Sequence, residues 1–246
     1  MREGNDLLKE VRNIDGRNCY LYQVGKPEYI LIQPVDDHDL EGLDQEIEAI
    51  ANGLHEPGFL LLAFKINDWN QELSPWEAPA VFGKENFGSG AEETLKYVKK
   101  SLLPYIRILL AGQLNLSLEQ VSQLPLILGG YSLAAFFALW AAYQTDCFAG
   151  VAAASPSVWF PVWMDYVKAN EICVNTIYLS LGDKEEKAKN PVMARVGDCI
   201  RELADMYGDS PSLSSTLEWN QGNHFKDPDI RTAKAFVWCI KELEII

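Results

Sequence analysis

Leu126 to Tyr143 reads LILGGYSLAAFFALWAAY. A short apolar run, Leu126, Ile127 and Leu128, meets Gly129 and Gly130, then Tyr131-Ser132-Leu133, and a densely apolar segment of helical length follows. This is the pattern of a buried strand, a tight turn with one serine at its apex, and a buried helix leaving the turn. It approaches the G-x-S-x-G elbow, in which a strained strand-to-helix turn lifts a serine hydroxyl out of the top of a sheet. Glycine is needed before the serine because strand and helix backbones nearly touch there. Gly130 meets that need, while Ala134 stands where the second glycine would be. The competing reading makes Ser132 an ordinary N-cap of the helix. Only the rest of the chain separates the two.

Outward from this stretch, strand-like and helix-like segments alternate. Asn18 to Val24 (NCYLYQV) and Tyr29 to Gln33 (YILIQ) read as strands around a Gly25-Lys26-Pro27 turn. Leu40, Leu43, Ile47 and Ile50 recur at three- and four-residue steps, so Asp39 to Asn52 is expected as an amphipathic helix ended by Gly53. Phe59 to Ile66 (FLLLAFKI) is a nearly continuous apolar strand of the kind buried on both faces of a parallel sheet. Ala91 to Leu110 carries a helical stripe that Pro104 should kink or divide. Phe148 to Ala154, Asn175 to Leu181 and Ser214 to Trp219 read as further strands. Val192 to Tyr207 and Asp229 to Leu243 read as helices. The alternation predicts an α/β fold with a mostly parallel central sheet covered by helices on both faces. No repeat or linker interrupts it, so residues 1–246 are expected to form one domain.

Composition excludes several classes. The formal charge of −14 opposes nucleic acid or an anionic membrane as partner. The longest apolar run is too short to span a bilayer, and MREGNDLLKEVRN lacks the apolar core of a secretory signal. Five scattered cysteines without a C-x-x-C fit free thiols in a reducing cytoplasm, the expected location, and offer no metal-ligand spacing. No metal site and no cofactor are expected, and the oligomeric state is left open.

Sites in open parallel sheets lie beyond the carboxyl ends of the strands, which places three loops together. The elbow strand leads to Ser132, the Asn175–Leu181 strand to Gly182-Asp183-Lys184-Glu185-Glu186, and the Ser214–Trp219 strand to Gly222-Asn223-His224. The order serine, acid, histidine is that of α/β-hydrolase triads. A serine hydroxyl needs an imidazole to take its proton, and the imidazole needs a carboxylate to fix its tautomer. His38 and His55, the other two histidines, follow no central strand and read as surface residues. Glu185 lies three residues after the strand-ending glycine and is preferred as the acid. Asp183 is the more usual residue type and remains the alternative. One oxyanion donor is expected from the Leu133 N–H at the positive end of the helix. The second is expected in the turn after FLLLAFKI, at Ile66 or Asn67. The aperiodic stretch 67–90 carries Trp69, Trp76, Phe82 and Phe87, suited either to the wall of a pocket or to pinning a long loop to the body.

GGYSLAAFFALWAAYQTDCFAGVAAASPSVWFP, SLGDKEEKAKNP and GNHFKD together resemble the esterase D-like and enterochelin-type siderophore esterase group of α/β-hydrolases, over about Phe59 to Ile240. The resemblance implies the α/β-hydrolase fold, serine-esterase activity on a small-molecule ester, and a site bordered by Ser155 to Trp159. Trp159 then lies near the acyl or alcohol pocket, with Tyr131 and Trp69 as further substrate-binding candidates. Ala134 departs from the glycine usual in the group and bears on catalytic efficiency. No basic cluster for an acidic iron chelate accompanies the motifs, which favours a general carboxylic-ester hydrolase. An acyltransferase on the same triad, or a catalytically silent binding protein on this fold, are the alternatives.

Overall fold

The computed structural model describes residues 7–54, 57–81 and 83–245. His55 and Phe82, both part of the sequence reading, lie outside the described residues. Eight strands among the described residues form one sheet: β1 (Leu7–Ile14), β2 (Arg17–Val24), β3 (Pro27–Val35), β4 (Gly58–Lys65), β5 (Leu126–Tyr131), β6 (Gly150–Ala154), β7 (Thr176–Gly182) and β8 (Ser214–Asn220). Their order is β1-β2-β4-β3-β5-β6-β7-β8. β2 runs against both its neighbours, and every other pairing is parallel.

The helices follow as α1 (Asp37–Gly53), α2 (Trp69–Glu72), α3 (Ala91–Tyr97), α4 (Leu103–Leu114), α5 (Leu118–Ser122), α6 (Leu133–Ala141), α7 (Trp163–Ala169), α8 (Pro191–Ala194), α9 (Val196–Gly208) and α10 (Pro228–Leu243). Side chains alternate across each strand, and the sheet feeds two cores accordingly. Leu31, Leu61, Ile127, Ala152 and Tyr178 pack with Leu43, Ile47 and Ile50 of α1 and Phe236, Cys239 and Ile240 of α10. Leu62, Leu128, Val151, Ala153 and Leu179 face the other way, against α3, α4, α6 and α9. The small residues of β5 and β6 have a packing cause: a Cβ on Gly129 would lie 2.6 Å from Cζ of Phe236 and 2.8 Å from Cβ of Ala152. Every residue of α6 is buried, because Phe160 and Trp163 cover its outer side through Phe136, with ring centroids 4.9 and 4.8 Å apart.

Several segments depart from expectation. β1 was absent from the sequence reading: all but Ile14 of its residues are exposed, so it carries no apolar signature. The 91–110 helix is divided, with a π segment over Val98–Leu102 whose wider turn lets the Leu103 N–H reach the Val98 carbonyl. Pro104 follows directly as the second residue of α4, where it has no N–H to give to the turn before it. The expected Val192–Tyr207 helix breaks at Arg195 into α8 and α9.

Candidate active site

β5 delivers Ser132 directly into α6, and the backbone turns sharply to do so. Ser132 has φ 58° and ψ −118°, a conformation rare for a residue with a side chain and costly unless its surroundings enforce it. Here its N–H donates to the Ala154 carbonyl at 3.1 Å, and its carbonyl accepts from Ser157 N–H at 3.1 Å. Gly130, at φ +152°, permits the turn; a Cβ there would sit 2.8 Å from that of Ala134. No side-chain hydrogen bond caps α6, so the Ser132 hydroxyl is not used as an N-cap.

That hydroxyl meets His224 instead. Ser132 Oγ lies 3.0 Å from His224 Nε2, and His224 Nδ1 lies 2.7 Å from Glu185 Oε2. With Nδ1–H donating to the carboxylate, Nε2 is left as an acceptor for the serine proton. The side chains arrive from the ends of β5, β7 and β8, with β6 lying between the first two.

Glu185 is buried, and its second oxygen, Oε1, accepts from the Gly182 N–H at 2.7 Å, the Ser155 hydroxyl at 2.8 Å and Arg231 Nη1 at 3.0 Å. Burial works to raise its pKa. The hydrogen bond and charge of His224, with the Gly182 and Ser155 donors, outweigh this and hold the carboxyl below its ordinary value. Asp183, the alternative acid, is exposed and accepts from the Gly222 N–H at 2.7 Å, so it ties the two loops together without touching the imidazole.

Sequence reading missed Arg231. Buried on α10, it donates through Nη1 to the Tyr131 hydroxyl (3.1 Å), to Ser155 Oγ (3.3 Å) and to Glu185, and through Nη2 to the carbonyls of Gln221 (3.3 Å) and Asn223 (3.1 Å). The signal was there: Arg231 falls on the buried stripe of α10 with Ala235, Phe236 and Cys239, where an apolar residue would be expected. Tyr131, expected to touch substrate, donates its hydroxyl to the His224 carbonyl at 2.7 Å. Its burial, and then the Glu185 charge, push its pKa up to about 12, so it stays a donor. Ser157 lies in the Ser155–Trp159 segment expected to border the site but was not singled out; its buried hydroxyl lies 3.4 Å from Ser132 Oγ.

The two expected second oxyanion donors are both engaged. The Ile66 N–H donates to the Val35 carbonyl at 2.9 Å, and the Asn67 N–H to Glu72 Oε1 at 3.0 Å. Both also follow β4, which β3 separates from β5. Trp159 is buried against Phe87, centroids 5.9 Å apart, and Trp76 donates its indole N–H to the Pro161 carbonyl at 2.9 Å. The 67–90 loop is thereby fastened onto the segment that carries Ser155 and Ser157, while Trp69 opens α2 and packs half-buried on the core. Among the described residues no group of three or more His, Cys, Asp or Glu could hold a metal ion, and no helix is long and apolar enough to cross a membrane.

This sheet order with its serine-bearing turn is the α/β-hydrolase fold. No known family profile matches the chain, and no curated protein matches its sequence. Solved structures do match it in shape. An IroE-like serine hydrolase from Shewanella oneidensis superimposes with a TM-score of 0.69 at 14% identity, over 96% of this chain and 81% of that one. The siderophore hydrolase EstA from Aspergillus nidulans gives 0.67 at 15%, over 98% and 95%. The enterobactin esterase FES from Shigella flexneri gives 0.63 at 13%, over 97% of this chain and 60% of that one.

Proposed function

We propose that the protein is a serine carboxylic-ester hydrolase working through an acyl-enzyme. The observation that carries this reading is the relay from Ser132 Oγ through both nitrogens of His224 to Glu185, with Ser132 held in a strained turn. His224 takes the hydroxyl proton as Ser132 attacks the ester carbonyl, and Glu185 stabilises the imidazolium that forms. The imidazolium then protonates the departing alcohol. Water, activated by the same imidazole, attacks the acyl-serine carbonyl, and the carboxylic acid leaves as Ser132 recovers its proton.

The Leu133 N–H, first in α6, is assigned to the developing oxyanion, where the helix dipole favours negative charge. The second donor is assigned to the first turn of α1, which follows β3 directly beside β5; the Asp36 N–H before it is given to Asp39. Trp159 and the 67–90 loop border the substrate side. The esterase and hydrolase names of the structural neighbours agree with this chemistry. Their siderophore substrates are less apt here: a net charge of −14 opposes a strongly anionic iron chelate, which leaves a neutral or cationic small-molecule ester.

A fluorophosphonate probe tests the reading. It should label the protein at Ser132, mapped by mass spectrometry, and labelling should vanish in Ser132→Ala together with turnover of a short-chain nitrophenyl ester. A folded wild-type sample that neither labels nor turns over refutes it. Ester products formed when alcohol is added would reassign the chain as an acyltransferase.

A further inference from the structure

The segment after β6 touches the relay at both ends. Ser155 donates its hydroxyl to Glu185 Oε1 at 2.8 Å, and Ser157, two residues on, reaches the nucleophile. Ser155 has φ 45°, in the left-handed region that a residue with a side chain occupies only at a cost. From that turn the chain returns to Ser132, whose carbonyl accepts from the Ser157 N–H at 3.1 Å. Val158 and Trp159 beyond it are buried, and the Phe160 N–H donates to the Ser157 carbonyl at 3.0 Å, so Ser157 is held from both sides.

Ser157 is only 3% exposed, and among the described residues its hydroxyl has one hydrogen-bond partner, Ser132 Oγ at 3.4 Å. The protons around this contact set its direction. Nδ1–H of His224 goes to Glu185, so Nε2 offers a lone pair and takes the Ser132 proton. Ser132 Oγ is left with lone pairs, and the Ser157 hydroxyl is in place to donate to one of them. The separation is long for a resting O–H···O bond, and catalytic contacts of this kind tighten once substrate is engaged.

We propose that Ser157 is a further catalytic residue of the esterase reaction, donating a hydrogen bond to Ser132 Oγ whenever that oxygen carries negative charge; this rests on the serine-esterase reading above. In acylation the Ser132 O–H bond breaks toward His224 Nε2 as the Oγ–carbon bond forms, and Oγ is charged in between. In deacylation the Oγ–carbon bond breaks as the proton returns from Nε2, and the same charge reappears. Ser157 keeps its own proton throughout and acts as a fixed dipole at both crossings. The oxyanion donors serve the carbonyl oxygen, whereas Ser157 serves the attacking one. The charge on Oγ is absent while the ester is merely bound, so the effect falls on kcat and leaves KM near its wild-type value.

Steady-state kinetics on a short-chain nitrophenyl ester, with the second-order rate of fluorophosphonate labelling at Ser132, test the proposal in Ser157→Ala and Ser157→Thr. Alanine should lower kcat by about tenfold to a hundredfold, the range of one hydrogen bond to a charged acceptor, with KM within about threefold. The labelling rate should fall in proportion, since labelling needs only the attack. Threonine keeps the hydroxyl and should recover most of the rate. Should alanine not fold, Ser157→Cys, with its weaker donor, should show the same loss in smaller measure. The pH dependence of kcat/KM should keep its shape, because this hydroxyl does not titrate, whereas a displaced loop would move His224 and shift the profile. The proposal is overturned by kcat and labelling in Ser157→Ala within about threefold of wild type, by a loss confined to KM, by a shifted pH profile, or by a threonine variant that melts like wild type yet is as slow as alanine. With wild type labelling normally, each of these removes the role of Ser157 alone. A folded wild type that does not label removes the esterase reading, and this proposal with it.

Discussion

Replacing Arg231 with methionine removes one guanidinium from five acceptors: the Tyr131 and Ser155 hydroxyls, Glu185 Oε1, and the carbonyls of Gln221 and Asn223. The Arg231 and Glu185 side chains are 3% and 5% exposed, so the change strands a buried carboxylate against its remaining donors. Breaking a buried ion pair from one side costs about 3–5 kcal/mol. For a chain of this size each kcal/mol moves the midpoint about 2–4 °C, so Tm should fall by about 6–20 °C. The acid limb of stability should move as well. Glu185 has a folded-state pKa below its unfolded one, so it contributes stability above the unfolded value that is lost as pH falls through the folded value. Without Arg231 the carboxylate is less well stabilised, its folded pKa rises, and acid destabilisation begins at higher pH. Thermal melts of wild type, Arg231→Met and Arg231→Lys across about pH 3 to 7 measure both effects. Lysine should recover only part of the loss, because one ammonium cannot span a fork of five acceptors. A methionine variant within about 1 kcal/mol of wild type, with its acid limb unmoved, would refute the reasoning.

The two candidate acids separate cleanly. Glu185→Gln should lower kcat by about 10⁴, as loss of the orienting carboxylate does in serine hydrolases, whereas Asp183→Asn, which only bridges to the Gly222 N–H, should stay within about tenfold. Steady-state kinetics on a nitrophenyl ester decide it. Gly130→Ala should destabilise by about 1–3 kcal/mol, because its Cβ would press on Ala134. Adding Ala134→Gly should return part of that in denaturant melts, since it removes the clashing atom.

What was legible in the sequence was whatever leaves an apolar or glycine signature. β5, the elbow and α6 stand out because all are buried, and the loops bearing Glu185 and His224 follow from the strands they leave. β1 left no trace, being an edge strand with exposed Leu7, Leu8 and Val11 among charges. That single omission had a further effect. Counting without β1 makes FLLLAFKI the third strand and puts the second oxyanion donor after it, whereas it is β4, one strand removed from β5. Arg231 was hidden for a different reason. Its place on the apolar stripe of α10 could mark it as buried, but its partners depend on three loops converging, which no spacing along the chain encodes.

The segment bearing His224 is secured at consecutive positions: Arg231 holds the carbonyls of Gln221 and Asn223, Asp183 the amide of Gly222, and Tyr131 the carbonyl of His224. Such a segment has no independent way to loosen while the sheet persists. On heating, activity should hold until the whole molecule gives way, so that thermal inactivation and loss of circular dichroism trace one curve.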